Sequence, residues 1–192
     1  MTVSTQARPT VYTAKDLERL SDEGYHYELI KGELHEMAPP GGTHGNSTSR
    51  LSTFVSYIII EQDLGETFAA ETGFLVAEDP DTVLAPDFAF VAKERLPDPL
   101  PRSYVPVVPD IVLETRSPND TKREVADKVA RWLELGVRLV WELNPKERIL
   151  TVHRSGVPAR ELGVTDTLSG EDVLPGLAVP VERIFPPQRT QN

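Results

Sequence analysis

Pro109-Asp110-Ile111-Val112-Leu113-Glu114-Thr115-Arg116 is the stretch on which the fold turns. It is an apolar run that ends on an acid, followed at once by Ser117-Pro118-Asn119-Asp120. A short run rich in β-branched residues and bounded by turn formers reads as a buried strand. Residues 121–135 then read as a helix, capped by the Ser117–Asp120 segment and stopped by Gly136. Residues 137–143 are a further strand, 144–147 a turn, and 149–153 its antiparallel partner.

Working outward, residues 96–109 carry five prolines and form a loop or an edge-hugging excursion. Before them stands Leu84-Ala85-Pro86-Asp87-Phe88-Ala89-Phe90-Val91, a second apolar run holding an acid. Short strands are expected at 66–70 and 74–77, and a long helix at 44–61 with Leu51, Phe54, Val55, Ile58 and Ile59 on one stripe. Residues 25–37 alternate around Lys31-Gly32 as a hairpin, and 13–20 form a short helix with Thr13 as N-cap and Asp16 three residues on. The tail holds another strand pair and a last helical turn at 181–185. The sum is an α/β (α+β) mixture with a mixed sheet, strands outnumbering helices, and an N-terminal hairpin and helix. Residues 13–186 are expected as one domain, with flexible tails at 1–12 and 187–192.

Composition bounds the function. At 192 residues, 39% hydrophobic and 26% charged, the chain suits one soluble domain with a real core. No apolar run approaches the length of a membrane span, and the N-terminus lacks signal-peptide character, so a cytoplasmic address and no membrane partner are expected. Cysteine is absent, which removes disulfides, thiolate metal sites and a cysteine nucleophile. The four histidines, His26, His35, His44 and His153, show no paired metal-ligand spacing. A net charge of −10 argues against tight, non-specific duplex binding, which leans on a basic footprint.

The chemistry gathers on the two acids. A carboxylate in low dielectric is costly unless paired or bound to a metal. Asp87 and Glu114 together therefore suggest a divalent-metal site. Magnesium suits such an all-oxygen set, keeping several waters beside one or two carboxylates, and manganese is a second candidate. Alternation along the strand turns Glu114 and Arg116 to one face. Arg116 stays protonated, so it is either a phosphate clamp or a salt-bridge partner of Glu114. On the following helix Val125, Val129, Trp132 and Leu133 form the buried stripe, with Lys128 at its edge. Lys128 either reaches back towards Glu114 or pairs with Glu124 one turn earlier. Trp132 and Trp141 read as core.

The order Pro86-Asp87, then Glu114-x-Arg116, resembles the PD-(D/E)xK nuclease superfamily. The longer pattern is similar to its Uma-type family. It runs Tyr27-Glu28-Leu29-Ile30-Lys31-Gly32-Glu33-Leu34, His44, Pro86-Asp87, Glu114-Thr115-Arg116-Ser117-Pro118, Lys128, Gly136-Val137 and Val140-Trp141-Glu142-Leu143-Asn144-Pro145. The likeness covers roughly residues 13–155. It implies a restriction-endonuclease-like fold, with Asp87 and Glu114 as metal ligands and the core-motif lysine displaced onto the next helix as Lys128. Glu28 matches a recurrent acid of the first hairpin, as a metal-site acid or an exposed one. His44 caps the long helix, lines the cleft or takes part in catalysis. Two departures stand out: Arg116 fills the orthodox lysine slot, and Trp132 replaces the family's usual tyrosine.

The expected function is a magnesium-dependent endonuclease hydrolysing DNA phosphodiester bonds, working as a homodimer. Asp87 and Glu114 hold the metal, Lys128 orients or deprotonates the attacking water, and Arg116 steadies the phosphate. The alternatives are a non-catalytic interaction or regulatory protein with a vestigial site, or a metal-dependent hydrolase of another phosphate ester.

Overall fold

A computed structural model describes residues 11–187. Helix α1 (Ala14–Asp22) precedes the hairpin β1 (Tyr27–Ile30) and β2 (Glu33–Glu36), and α2 (Gly42–Glu61) follows. Then come β3 (Gly65–Ala69), β4 (Phe74–Ala77), β5 (Thr82–Leu84) and β6 (Phe88–Ala92). Strand β7 (Ile111–Thr115), helix α3 (Lys122–Glu134) and strand β8 (Leu139–Asn144) form the centre. The chain closes with β9 (Ile149–Arg154), β10 (Val157–Leu162), β11 (Thr167–Gly170) and β12 (Leu174–Pro180).

The main sheet has the order β10-β9-β8-β7-β6-β3, with β7 and β8 parallel and the other pairs antiparallel. The parallel pair needs a crossover, and α3 supplies it. A smaller sheet, β2-β1-β5-β4, and the hairpin β11-β12 complete the fold.

Helix ends are set by local chemistry. Thr13 caps α1 in a reciprocal box with Asp16, and Thr121 caps α3 in the same way with Glu124. The expected cap for α3, Ser117–Asp120, is thus corrected by one residue. Asp120 instead takes the Ser117 amide at 2.8 Å and closes the turn ahead of the helix. At the other end Gly136, with φ +98°, donates to Leu133, and Val137 donates to Trp132. These two bonds form a Schellman stop that needs the left-handed backbone glycine accepts freely.

Alternation along β7 separates two cores. Ile111 and Leu113 pack with Leu51, Val55 and Ile59 of α2 and with Trp141. Val112 packs on the other side with Val129 and Trp132 of α3. Burying each such side chain is worth about 1.5–3 kcal/mol, so the alternation is strongly specified. Glu114, two residues after Val112, consequently faces α3.

Three elements differ from expectation. Strand β5 is an addition, and Ala85-Pro86-Asp87 carries the chain from the small sheet into the large one. Proline cannot donate to a ladder, so the apolar run is split and Asp87 precedes β6 instead of lying within it. Strand β10 is likewise additional, and the last helical turn shortens to a 3-10 turn, Val181–Arg183. The 96–109 excursion does stay irregular, touching the small sheet through a Val105–Phe74 bridge. The expected tails at 1–12 and 187–192 fall mostly outside the described residues; Tyr12, which is described, donates its amide to Gly32 at 2.8 Å.

Candidate active site

The end of β7 organises the site. Asp87 Oδ2 accepts the Thr115 amide at 2.7 Å, which fastens the Pro-Asp crossover to the residue after Glu114. His44, in the first turn of α2, brings Nε2 to 3.2 Å from the same Oδ2. The Thr48 and Thr115 hydroxyls, 2.8 Å apart, tie that helix to the strand end once more. Glu28 of β1 reaches the crossover from the small sheet, its Oε1 accepting the Ala85 amide at 3.0 Å.

Glu114 is held from α3. Trp132 Nε1 donates to Oε1 at 2.7 Å, and Lys128 Nζ stands 3.7 Å from Oε2. Residues four apart share a helix face, so adjacent turns address the two oxygens of one carboxylate. The Glu114 side chain is 10% exposed and that of Lys128 48%. A narrow cleft opens here, lined by Glu114, Thr115, Arg116, Asp120, Val125 and Lys128.

Electrostatics mark the same spot. Burial, with the Asp87 and Glu28 carboxylates adding to it, pushes Glu114 up to about 8, against the pull of Lys128 and Trp132. Lys128 is raised in turn, chiefly by Glu114, while its own partial burial opposes the shift. His44 is also raised: burial disfavours its charge, but the Asp87 carboxylate outweighs that cost. Glu114, Lys128 and His44 are thus displaced together around one cleft, the pattern by which a protein tunes groups for chemistry.

The donors fit a magnesium-type ion. Asp87 and Glu114 offer carboxylate oxygens, the ligand type hard cations take, and such ions keep waters beside one or two carboxylates. Among the described residues no three His, Cys, Asp or Glu side chains converge closely enough to hold an ion by themselves. Glu28, bonded to the Ala85 amide, adds its charge to the field at Glu114 from the small sheet.

Arg116 shares the cleft with Glu114, but its guanidinium pairs with Glu142 and not with Glu114. Its Nε and Nη2 both bond Oε1 of Glu142 at 2.5 Å, and His153 Nε2 sits 2.9 Å from Oε2 of the same carboxylate. Burial would raise Glu142, yet His153 and Arg116 together hold it below the usual carboxylate range. His44 does not cap α2 by its side chain; Gly41 is the N-cap and makes no side-chain bond. Lys128 faces Glu114, while Glu124 is engaged with Thr121 in the capping box. Trp132 and Trp141 are both buried, but Trp132 does more than pack. Its donor role, the Thr115 amide and the Glu142–His153 pair were absent from the sequence reading. The spacing Lys128-x-x-x-Trp132 was the available hint, because buried indole N–H groups need an acceptor.

Comparison places this geometry among known proteins. A crystal structure described as a "putative nuclease belonging to DUF820" from Anabaena variabilis ATCC 29413 superposes with a TM-score of 0.74 at 18% identity, over 90% of this chain and 97% of that one. That likeness establishes the shared fold. The chain of a DrdV–DNA complex aligns over 62% of this chain and 86% of its own, at 10% identity and a TM-score of 0.31, too low to bear on the fold. No curated protein matches significantly in sequence. The Uma2 model, described as "putative restriction endonuclease", matches residues 14–182, nearly the whole described chain, and the protein belongs to that family.

Proposed function

We propose that this chain is a magnesium-dependent endonuclease, with manganese able to substitute, that hydrolyses DNA phosphodiester bonds at the Asp87–Glu114 cleft. The observation carrying the proposal is the pair of oriented acids. Asp87 is pinned to the Thr115 amide, and Glu114, buried and displaced upward, is addressed by Trp132 and Lys128. Family membership supports the reaction class.

Magnesium bound there would polarise a phosphoryl oxygen and lower the pKa of water. The chain's own groups do the rest. Trp132 and the Thr115 amide fix the two carboxylates in place, so little reorganisation is needed when charge develops. Lys128, held protonated by Glu114, serves as a donor that orients water and offsets phosphate charge. Its raised pKa works against the base role also expected for it. Glu28 reinforces the negative field, and His44 braces Asp87. A twofold pair of chains would present one cleft to each DNA strand.

The test is calorimetric titration of magnesium and of manganese into wild type and the Asp87→Ala/Glu114→Ala double variant, followed by a plasmid-nicking assay. Saturable binding and nicking that both vanish in the double variant are expected. A second reading, a non-catalytic interaction protein, draws on the net charge of −10 and on the missing lysine in the slot that Arg116 fills. No ion uptake up to about 10 mM, beyond the weakest ordinary protein sites, together with no nicking, moves that reading to first place.

A further inference from the structure

Glu142 has no place among the metal-site acids, yet it is only 7% exposed and lies opposite Glu114 in the parallel β7–β8 register. Paired residues of parallel neighbours face the same side, so both look towards α3. Its Oε1 takes two nitrogens of Arg116 and its Oε2 meets His153, leaving neither oxygen idle. Arg116 is also anchored by its backbone, which donates to Leu143 at 2.8 Å. A buried ion pair of this kind seldom repays its desolvation as stability, and apolar side chains could fill the same space. What the arrangement does supply is orientation. A free arginine side chain samples many rotamers, whereas this one is set in a single direction on the cleft wall with 25% of its side chain exposed.

We infer that Glu142 and His153 are positioning residues that aim the Arg116 guanidinium at a backbone phosphate of the bound nucleic acid. The inference rests on the nuclease reading above and deepens it. Glu142 fixes one edge of the guanidinium, and His153 keeps the carboxylate from swinging outward with it. Both act through Arg116, which is the group in contact with phosphate.

The sign of one measurement separates this from a packing role. Deleting a negative charge beside a DNA site tightens binding if charge alone matters; loss of aim weakens it. The experiment measures anisotropy of a short fluorescent duplex in calcium, across a salt series, with the duplex checked for integrity. Glu142→Gln is expected to weaken binding roughly five- to tenfold, close to Arg116→Ala, and each to reduce the salt slope by about one contact. The Arg116→Ala/Glu142→Gln double variant should bind no more weakly than Arg116→Ala, because the two residues act as one unit. His153→Ala, at a 19% exposed side chain, should weaken binding roughly two- to fivefold and carries the same test if Glu142→Gln fails to fold. In the free protein, the Arg116 Nε–H resonance should lose its exchange protection in Glu142→Gln. Equal or tighter binding by Glu142→Gln, additive losses in the double variant, or an unchanged Nε–H resonance overturns the inference. Wild-type protein that neither binds duplex nor takes up metal overturns the nuclease reading, and this inference with it. Duplex binding that ignores Glu142→Gln overturns the inference alone.

Discussion

Glu114→Gln should stabilise the protein, and by more as the pH rises. Folding carries this carboxyl from its ordinary 4.5 up to about 8, with burial as the leading cause. Between those values the folded state holds a proton that the unfolded state has released, so stability falls with rising pH across that window. The sign is the reverse of a salt-bridged acid: the contribution is fully present below 4.5 and gone above about 8. At about 1.36 kcal/mol per pH unit, the ceiling is about 5 kcal/mol. Rearrangement and water entry in a cleft bring the realised figure down, and about 2–3 kcal/mol is the working expectation. Glutamine keeps an oxygen for Trp132 Nε1 and has nothing to ionise.

The assay is thermal denaturation of both proteins in chelator at pH 5, 7 and 9. A gain of 2–3 kcal/mol corresponds to roughly 4–12 °C for a domain of this size. The advantage of Glu114→Gln should be smallest at pH 5 and largest at pH 9. Magnesium should then reverse the order, because an ion that binds only the folded wild type stabilises it by mass action. A difference in melting temperature that stays flat from pH 5 to 9, or one that shrinks, would refute the reasoning and return Glu114 to an ordinary partly solvated acid.

Other perturbations probe the neighbouring contacts. Trp132→Phe removes the donor to Glu114 Oε1 while keeping an aromatic body; it should cost about 1–3 kcal/mol, more at pH 9 than at pH 5, and weaken magnesium uptake in calorimetry. His44→Gln should cost about 1–2 kcal/mol at pH 6 and little at pH 9, by chemical denaturation. The raised pKa of His44 means that its contribution is present below 6.5 and lost as the pH climbs through the folded value. Asp110 is buried, accepts the Ala92 amide at 2.9 Å and meets Arg95 at 2.7 Å. Asp110→Ala should destabilise by about 2–3 kcal/mol and leave metal uptake unchanged. Gly136→Ala, at φ +98°, should cost about 1 kcal/mol in the same denaturation experiment.

What the sequence revealed follows the range of the forces involved. Elements fixed by local chemistry were readable: the Thr13–Asp16 box, the Gly136 stop, the apolar runs of β7 and β8, and the stripe on α3. Each depends on residues within one or two turns of each other. The boundary between the two sheets was not readable, because Leu84 to Val91 is one apolar run. Only the competition between two ladders for its halves makes Pro86 a crossing point.

The site divides along the same line. Asp87, Glu114 and Lys128 could be named because residue type and family pattern coincide at each. The second set of contacts could not, and the reason is geometric. Glu142 stands 26 residues from Arg116 and 11 from His153 along the chain, and the three meet because β8 pairs with β7 on one side and β9 on the other. A sheet brings together residues of unrelated sequence separation at a spacing of about 4.8 Å, so a carboxylate on the neighbouring strand is invisible to motif spacing. Arg116 shows the consequence. By type and position it read as a phosphate clamp or a partner of Glu114. Its actual partner lies across the ladder, and that contact decides whether the guanidinium wanders or points.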